Sequence, residues 1–144
     1  MKNPNIINVK SNLSNYTVLF TKNFEVQLYK DTDKNDLFII DKKIYKLYKL
    51  NSILKQKKII LVSANEKSKS FHNLGSIIKK INKINFTRSN KIIAIGGGIT
   101  QDIASFISSI LFRGVKWYFY PTSYLAQCDS CIGGKTSINF EKNK

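Results

Sequence analysis

Lys91-Ile-Ile-Ala-Ile95 runs without a break into Gly96-Gly97-Gly98, and the glycines run into a stretch, 101–112, that puts Ile103, Phe106, Ile107 and Ile110 on one helical face. A β-branched run that ends in glycine and resumes as an amphipathic stripe is a strand–turn–helix unit, because a side-chain period of two gives way to one of about 3.6. The same grammar recurs on both sides. Residues 36–40 read as a short apolar strand ending at Asp41, followed by a short helix over 42–50 with Ile44, Tyr45, Leu47 and Tyr48 apolar. Residues 58–62 read as a buried strand, followed by a helical stripe over 69–84 that includes Phe71, Leu74, Ile77 and Ile81. Residues 115–120 read as a strand stopped by Pro121. Nearer the start, 16–20 reads as a strand and 24–28 as its candidate partner strand. The alternation predicts an α/β fold, a Rossmann-like parallel sheet with helices on both faces. No linker or repeat interrupts it, so residues 1–144 are expected to form one domain without an internal boundary.

Sheets of this kind bind ligands beyond the carboxyl ends of their strands. Three loops fall there, after 58–62, after 91–95 and after 115–120. The last is the richest: residues 121–139 read Pro-Thr-Ser-Tyr-Leu-Ala-Gln-Cys-Asp-Ser-Cys-Ile-Gly-Gly-Lys-Thr-Ser-Ile-Asn. Hydroxyls can hold phosphate or ribose, a glycine pair lets backbone N–H groups approach an anion, and a lysine neutralises its charge. Together the loops suggest a cleft for a nucleotide and an anionic substrate.

Each smaller feature has a plain structural reading beside the functional one. Gly96–Gly98 can seat a pyrophosphate at a helix N-terminus. It is not G-x-G-x-x-G, and a tight strand-to-helix turn explains it equally well. Asp102 either complements the helix dipole or hydrogen-bonds a ligand. Glu66 and Lys69, three apart, read most simply as a surface ion pair, with ribose and phosphate contacts as the functional option. Arg113-Gly114 is an ordinary helix stop, yet arginine's bidentate grip on phosphate is what lysine cannot replace.

Composition narrows the classes. The chain carries 24 Lys plus Arg against 9 Asp plus Glu, a formal net charge of +15. The basic residues are almost all lysine, with Arg88 and Arg113 the two arginines, and they are dispersed. Base readers favour arginine forks, so no nucleic-acid partner is expected. No uncharged apolar run reaches about 18 residues and the N-terminus lacks a signal-peptide core, so neither membrane nor export is expected and the location is read as cytoplasmic. Cys128 and Cys131 form a C-x-x-C, but the single histidine, His72, leaves no second ligand pair for a closed zinc site. The two cysteines are read as half-buried packing residues and His72 as a surface helix residue.

With these residues in place, the chain resembles 3-dehydroquinate synthase, of the sugar-phosphate cyclase family, from about Asp36 to Lys144. The most specific stretch is Gly-Gly-Gly-x-x-x-Asp, then Arg-Gly, then Pro-Thr-Ser-x-Leu-Ala-Gln-x-Asp-Ser-x-Ile-Gly-Gly-Lys-Thr-x-x-Asn. The resemblance implies an NAD-dependent phosphate lyase and cyclase of the shikimate pathway, acting on a phosphorylated seven-carbon keto-acid. It implies that Asp41 contacts the adenosine side of NAD and that Glu66 and Lys69 hold ribose. It implies that Gly97, Gly98, Ile99 and Asp102 form the glycine loop and its acid, and that Thr122, Ser123 and Leu125 lie at the cofactor. Asp129, Ser130 and Lys135 are implied at nicotinamide and substrate, Lys144 as a second cofactor lysine, and Arg113 as a substrate-phosphate ligand. Asp129, Lys135 and Arg113 are the implied catalytic set.

The chain departs from the family at Asn65, at Tyr124 and at Gln101, which stands where the family carries a small residue and is expected to crowd the pyrophosphate. The family's divalent metal, zinc or cobalt, is held by a glutamate and two histidines of a helical C-terminal domain that these 144 residues lack. The chain is therefore read as an N-terminal fragment, with no metal ligands of its own, inactive in isolation and homodimeric when complete. The competing readings are an NAD-binding remnant without turnover and another sugar-phosphate cyclase. A glycerol dehydrogenase-like enzyme is disfavoured because Asp102-Ile103-Ala104-Ser105 does not continue as Asp-x-Ala-Lys.

Overall fold

The computed structural model describes residues 5–10 and 15–141. Where the sequence shows no internal boundary, the backbone groups into two compact units, 1–31 and 32–144.

In the first unit, β1 (Ile6–Val9) and β2 (Tyr16–Leu19) pair antiparallel, with Ile7 opposite Val18. The segment expected as the partner strand of β2, 24–28, is instead the start of helix α1 (Phe24–Asp31). The physical reason is capping. Asn23 Oδ1 accepts the Val26 N–H at 3.0 Å, Glu25 sits in the first turn and Lys30 in the last. These local terms favour a helix over what the short apolar pattern suggests.

The second unit holds a four-stranded parallel sheet in the order β4–β3–β5–β6, built from β3 (Leu37–Asp41), β4 (Lys58–Val62), β5 (Ile92–Gly96) and β6 (Trp117–Pro121). Every residue of β3 and β5 is buried. That is why these strands read as unbroken apolar runs: a central parallel strand is covered on both faces. The chain steps from β3 outward to β4, then returns past β3 to β5, so the strand order reverses between β3 and β5. With right-handed crossovers, the reversal puts α2 (Lys42–Leu47) and α3 (Leu50–Ile53) on one face. It puts α4 (Phe71–Ile81) and α5 (Gly98–Ile110) on the other. There Leu74, Ile77, Ile81, Ile103, Ala104 and Ile107 close the core over Leu37, Ile39, Ile60, Ile92 and Ala94.

The helix boundaries differ from the periodic stripes for local reasons. The 42–50 helix breaks where Lys49 takes a left-handed φ of 49°. The 69–84 helix begins at Phe71, because 66–69 forms a 3-10 turn and the Ser70 hydroxyl caps α4 by accepting the Asn73 N–H at 3.3 Å. The 101–112 helix starts at Gly98, so part of the glycine run is the first turn of α5 rather than loop. It ends at Ile110, before the left-handed Phe112 and Arg113. At the other end of the sheet, the buried Asp36 carboxylate ties β3 to β5, accepting the Lys91 N–H at 2.8 Å. Lys91 Nζ meets Asp33 at 3.0 Å and Asp36 at 3.5 Å.

Gly96, at the end of β5, has no room for a side chain. A Cβ there would stand 2.7 Å from Cβ of the fully buried Thr100, one helical turn on. Gly96→Ala should therefore destabilise the chain by roughly 1–3 kcal/mol, the usual scale of overpacking. The double variant Gly96→Ala/Thr100→Ala should recover much of that loss in urea titrations.

Candidate active site

The reversal of strand order brings the carboxyl ends of β3 and β5 side by side, and Gly96 pairs with Pro121 at the end of β6. The three sequence-predicted loops consequently converge at one end of the sheet. Backbone bonds hold the convergence: Thr122 N donates to Gly96 O at 2.8 Å, and Asn139 N to Lys69 O at 3.0 Å.

The glycine turn opens α5 without a side-chain cap. Its free N–H groups and the helix dipole make it an anion-ready terminus. The segment after β6 leans on this turn. A Cβ at Gly97 would lie 3.4 Å from Ser123 Oγ, and one at Gly98 would lie 3.7 Å from Ser130 Oγ. Ser123 Oγ is itself engaged, accepting the Ala126 N–H at 3.2 Å as the chain enters a π-helical turn, Ala126–Ser130.

Lys69 sits at the centre of the site. It is buried, and its Nζ lies 2.7 Å from Asp102 Oδ2 and 3.5 Å from Glu66 Oε1. Burial alone would lower the Lys69 pKa, but the hydrogen bond and charge of Asp102, backed by Glu66, outweigh it and hold the ammonium above its ordinary value of 10.5. Asp102 is thus neither a bare helix-terminus charge nor an empty ligand: one oxygen takes Lys69, and the other accepts the Ser137 N–H at 3.2 Å. Glu66 keeps its surface ion pair, and its side chain is 52% exposed.

Ser137 lies near the end of the 121–139 stretch, in a returning segment where the sequence assigned no role to Ser137 or Asn139. Asn139 N donates to Lys69 O at 3.0 Å, Phe71 N donates to Asn139 O at 2.9 Å, and Asn139 Nδ2 reaches Glu66 O at 3.2 Å. Edge-on packing of Phe71 against Phe140 (5.7 Å) and Phe106 (6.4 Å) seals the contact. These pairings span about seventy residues of chain, so no local pattern could have revealed them. Between β6 and this segment, Gly133 (φ 104°) and Gly134 (φ 64°) adopt left-handed conformations that a side chain would strain.

Asp102, Asp129, Ser130, Lys135 and Thr136 line a cleft of about 210 Å³. Asp129 and Lys135 are exposed and make no ion pair among the described residues. Thr136 is held by a 2.6 Å hydrogen bond to Ser105. A larger open depression, about 610 Å³, lies at the amino edge of the sheet around Asn35, Lys58 and Asn85. There Lys58 Nζ is already committed to Asn85 O at 3.0 Å. The smaller cleft is the one at the strand carboxyl ends, where the chemistry-bearing side chains meet.

The remaining predicted residues separate clearly. Asp41 is buried at the strand-order reversal and caps α2, accepting the Lys43 N–H at 2.8 Å. Ile99 and Thr122 are half-buried at the glycine turn, whereas Leu125 is 70% exposed. Lys144 lies outside the described residues. Arg113 is not brought to the cleft: it is exposed beyond the far end of α5, whose 13 residues carry it about 20 Å toward the opposite edge of the sheet. Gln101 is buried, and its amide Nε2 donates to Ser130 O instead of projecting over the glycine turn. Of the two cysteines, Cys131 is half-buried and Cys128 exposed, correcting the expectation that both pack. Burial pushes the Cys131 thiol up, the reverse of an activated thiolate. His72 is exposed on α4 as expected.

A four-stranded parallel sheet flanked by helices, with a cleft at its strand ends, defines an α/β protein of the Rossmann-like class, and comparison with known proteins makes the class specific. The family model for the 3-dehydroquinate synthase N-terminal region matches residues 59–144. The 3-dehydroquinate synthase of Dictyoglomus thermophilum is 39% identical over 116 residues, covering 81% of this chain and 33% of that protein. That of Clostridium perfringens is 45% identical over 86 residues, covering 60% of this chain and 25% of the relative. The chain belongs to the 3-dehydroquinate synthase family, and it spans about a third or less of the length of these relatives. Among solved structures, a 2-deoxy-scyllo-inosose synthase aligns with a TM-score of 0.80 at 19% identity, covering 96% of this chain and 42% of that one. Another, complexed with carbaglucose-6-phosphate, NAD+ and Co2+, aligns at 0.76 and 19% identity, covering 93% and 40%. These likenesses bear out the α/β Rossmann-like fold.

Lys69→Met should cost roughly 1–3 kcal/mol, since it leaves the partly buried Asp102 carboxylate without its cation. Because folding raises the Lys69 pKa, its contribution is fully present below the unfolded-state pKa of about 10.4 and is lost as pH rises through the folded value. Denaturation midpoints measured from pH 8 to 11.5 should fall less steeply in the variant than in the wild type.

Proposed function

We propose that the protein carrying this chain is a 3-dehydroquinate synthase, converting 3-deoxy-arabino-heptulosonate 7-phosphate to 3-dehydroquinate and phosphate. The observation that carries the reading is the meeting of Lys69–Asp102, the glycine turn, and Asp129, Ser130 and Lys135 at one end of the sheet. The residues present fit a dinucleotide. The uncapped α5 terminus offers N–H groups to a pyrophosphate, and Ser130 Oγ, a hydroxyl that can donate, is buried nearby with no partner among the described residues. NAD, when bound, would supply the transient hydride acceptor and donor of the reaction.

The chain's own residues would then divide the work. Asp41, Glu66 and Lys69 would meet the adenosine and ribose hydroxyls, with Lys69 pre-set by Asp102. Gly97, Gly98 and Ile99 would carry the pyrophosphate, and Thr122, Ser123 and Leu125 would border the cofactor. Lys135, an exposed ammonium on a loop shaped by Gly133 and Gly134, would take the charged end of the substrate. Asp129 and Ser130 would orient its hydroxyls. Among the described residues no cluster of three His, Cys, Asp or Glu side chains could hold a divalent metal, so no step here is routed through one. No helix among them is long and apolar enough to cross a membrane.

Two measurements test the reading. In the enzyme carrying this chain, Lys135→Ala should reduce phosphate release from the heptulosonate phosphate by about 10²–10³-fold, the scale of a lost charged contact to the reacting centre. Near-wild-type turnover would refute the assignment. Asp102→Asn, which keeps the shape but not the charge, should weaken NAD binding about tenfold by calorimetry. An unchanged affinity would leave Asp102 as a structural ion-pair partner.

A further inference from the structure

Gln101 is a deeply buried polar side chain beside the cleft, at 3% exposure, to which the proposed chemistry gives no role. It sits in the first turn of α5, on the residue before Asp102. Its Nε2 donates to the backbone carbonyl of Ser130, 29 residues away, on the π-helical turn that carries Asp129. A carbonyl only accepts, so this bond fixes which end of the amide faces Ser130 and leaves Oε1 as an acceptor. Oε1 has no partner among the described residues, and neither has the buried Ser130 Oγ. Two unpartnered polar atoms flanking one buried hydrogen bond are uncommon in a core, and each requires a reason.

We propose that Gln101 is a positioning residue: its carboxamide is a strut that sets the distance between the glycine turn and the Asp129–Ser130 turn, and so the geometry of the cleft. The inference rests on the cofactor reading only in supposing what the cleft holds. Without the strut the Ser130 carbonyl loses a buried donor, and the turn gains by moving toward water. The turn's other bonds, such as Gln127 N to Ser123 O at 3.0 Å and Gln127 Nε2 to Pro121 O at 3.3 Å, stay within its own segment and do not tie it to α5. Its 126–130 residues form a single π-helical turn, and only Ala126 among them is buried. Asp129 is exposed and Ser130 half-buried, so neither anchors it by packing. Asp102, next in sequence, is locked to Lys69, so the strut hangs from a rigid support.

Cys128 lies within the turn and Cys131 directly follows it, so both report on it. Cys131 is half-buried, and its thiol donates to Gln127 O at 3.1 Å, whereas Cys128 is already exposed. The experiment is thiol labelling of the full chain with a disulfide reagent, resolved by peptide mass, in wild type, Gln101→Met and Gln101→Glu. Methionine keeps the volume but cannot donate, and glutamate keeps the shape but offers only acceptors. Labelling of Cys131 should accelerate about fivefold in both, the shift that loss of one ordinary hydrogen bond produces, with Cys128 nearly unchanged. NAD affinity should fall by a similar factor while the melting temperature of Gln101→Met stays near wild type, which a purely space-filling role would not produce. If glutamate unfolds the chain, Met alone decides. Unchanged Cys131 labelling in Gln101→Met overturns the strut. If wild type binds no NAD, the proposed function fails, and the labelling still decides the strut.

Discussion

The buried pair of Lys69 and Asp102 is the contact on which the cleft depends. It joins the loop after β4 to the first turn of α5, and through Asp102's second oxygen it receives the segment around Ser137. Each partner alone would be expensive to bury, and each is tolerable because the other neutralises it. A strand-end loop, a helix terminus and a returning segment are therefore set by one charge pair rather than by apolar packing alone.

Around that pair the site is arranged in two tiers of rigidity. The glycine turn is fixed by steric necessity, since Gly96 abuts Thr100 and β5 is wholly buried. The Asp129–Ser130 turn and the Gly133–Gly134 loop are more exposed. In the proposed reading the stiff elements would take the cofactor and the looser loop the substrate, a workable division. The first must be preorganised, while the second must admit and release ligand.

Much of this was legible in the residues. Strand 91–95 announced itself because a central parallel strand must be apolar on both faces. Strand 58–62, read as buried from the same kind of run, is an edge strand in which Ile60 and Val62 are buried and Leu61 is exposed. Helix 24–31 was missed because its evidence was a cap, Asn23 to Val26, rather than a stripe. Lys69 looked like a surface partner of Glu66, since i,i+3 spacing is all that the local sequence offers. Its stronger partner, Asp102, lies on another strand–helix unit. Gln101 looked like an obstruction at the pyrophosphate, because its neighbours in sequence are the glycine turn, while its actual partner is Ser130.

The sequence by itself determined the α/β alternation, the glycine turn and the family, because these depend on periodicity and on residues within a few positions of each other. Only the tertiary structure decided that Lys69 is buried against Asp102, that Asn139 returns to Glu66, and that Gln101 braces Ser130. It also decided that Arg113 stands at the opposite edge of the sheet. These follow from where crossovers deliver distant residues, and a charge or amide finds its partner through space rather than along the chain.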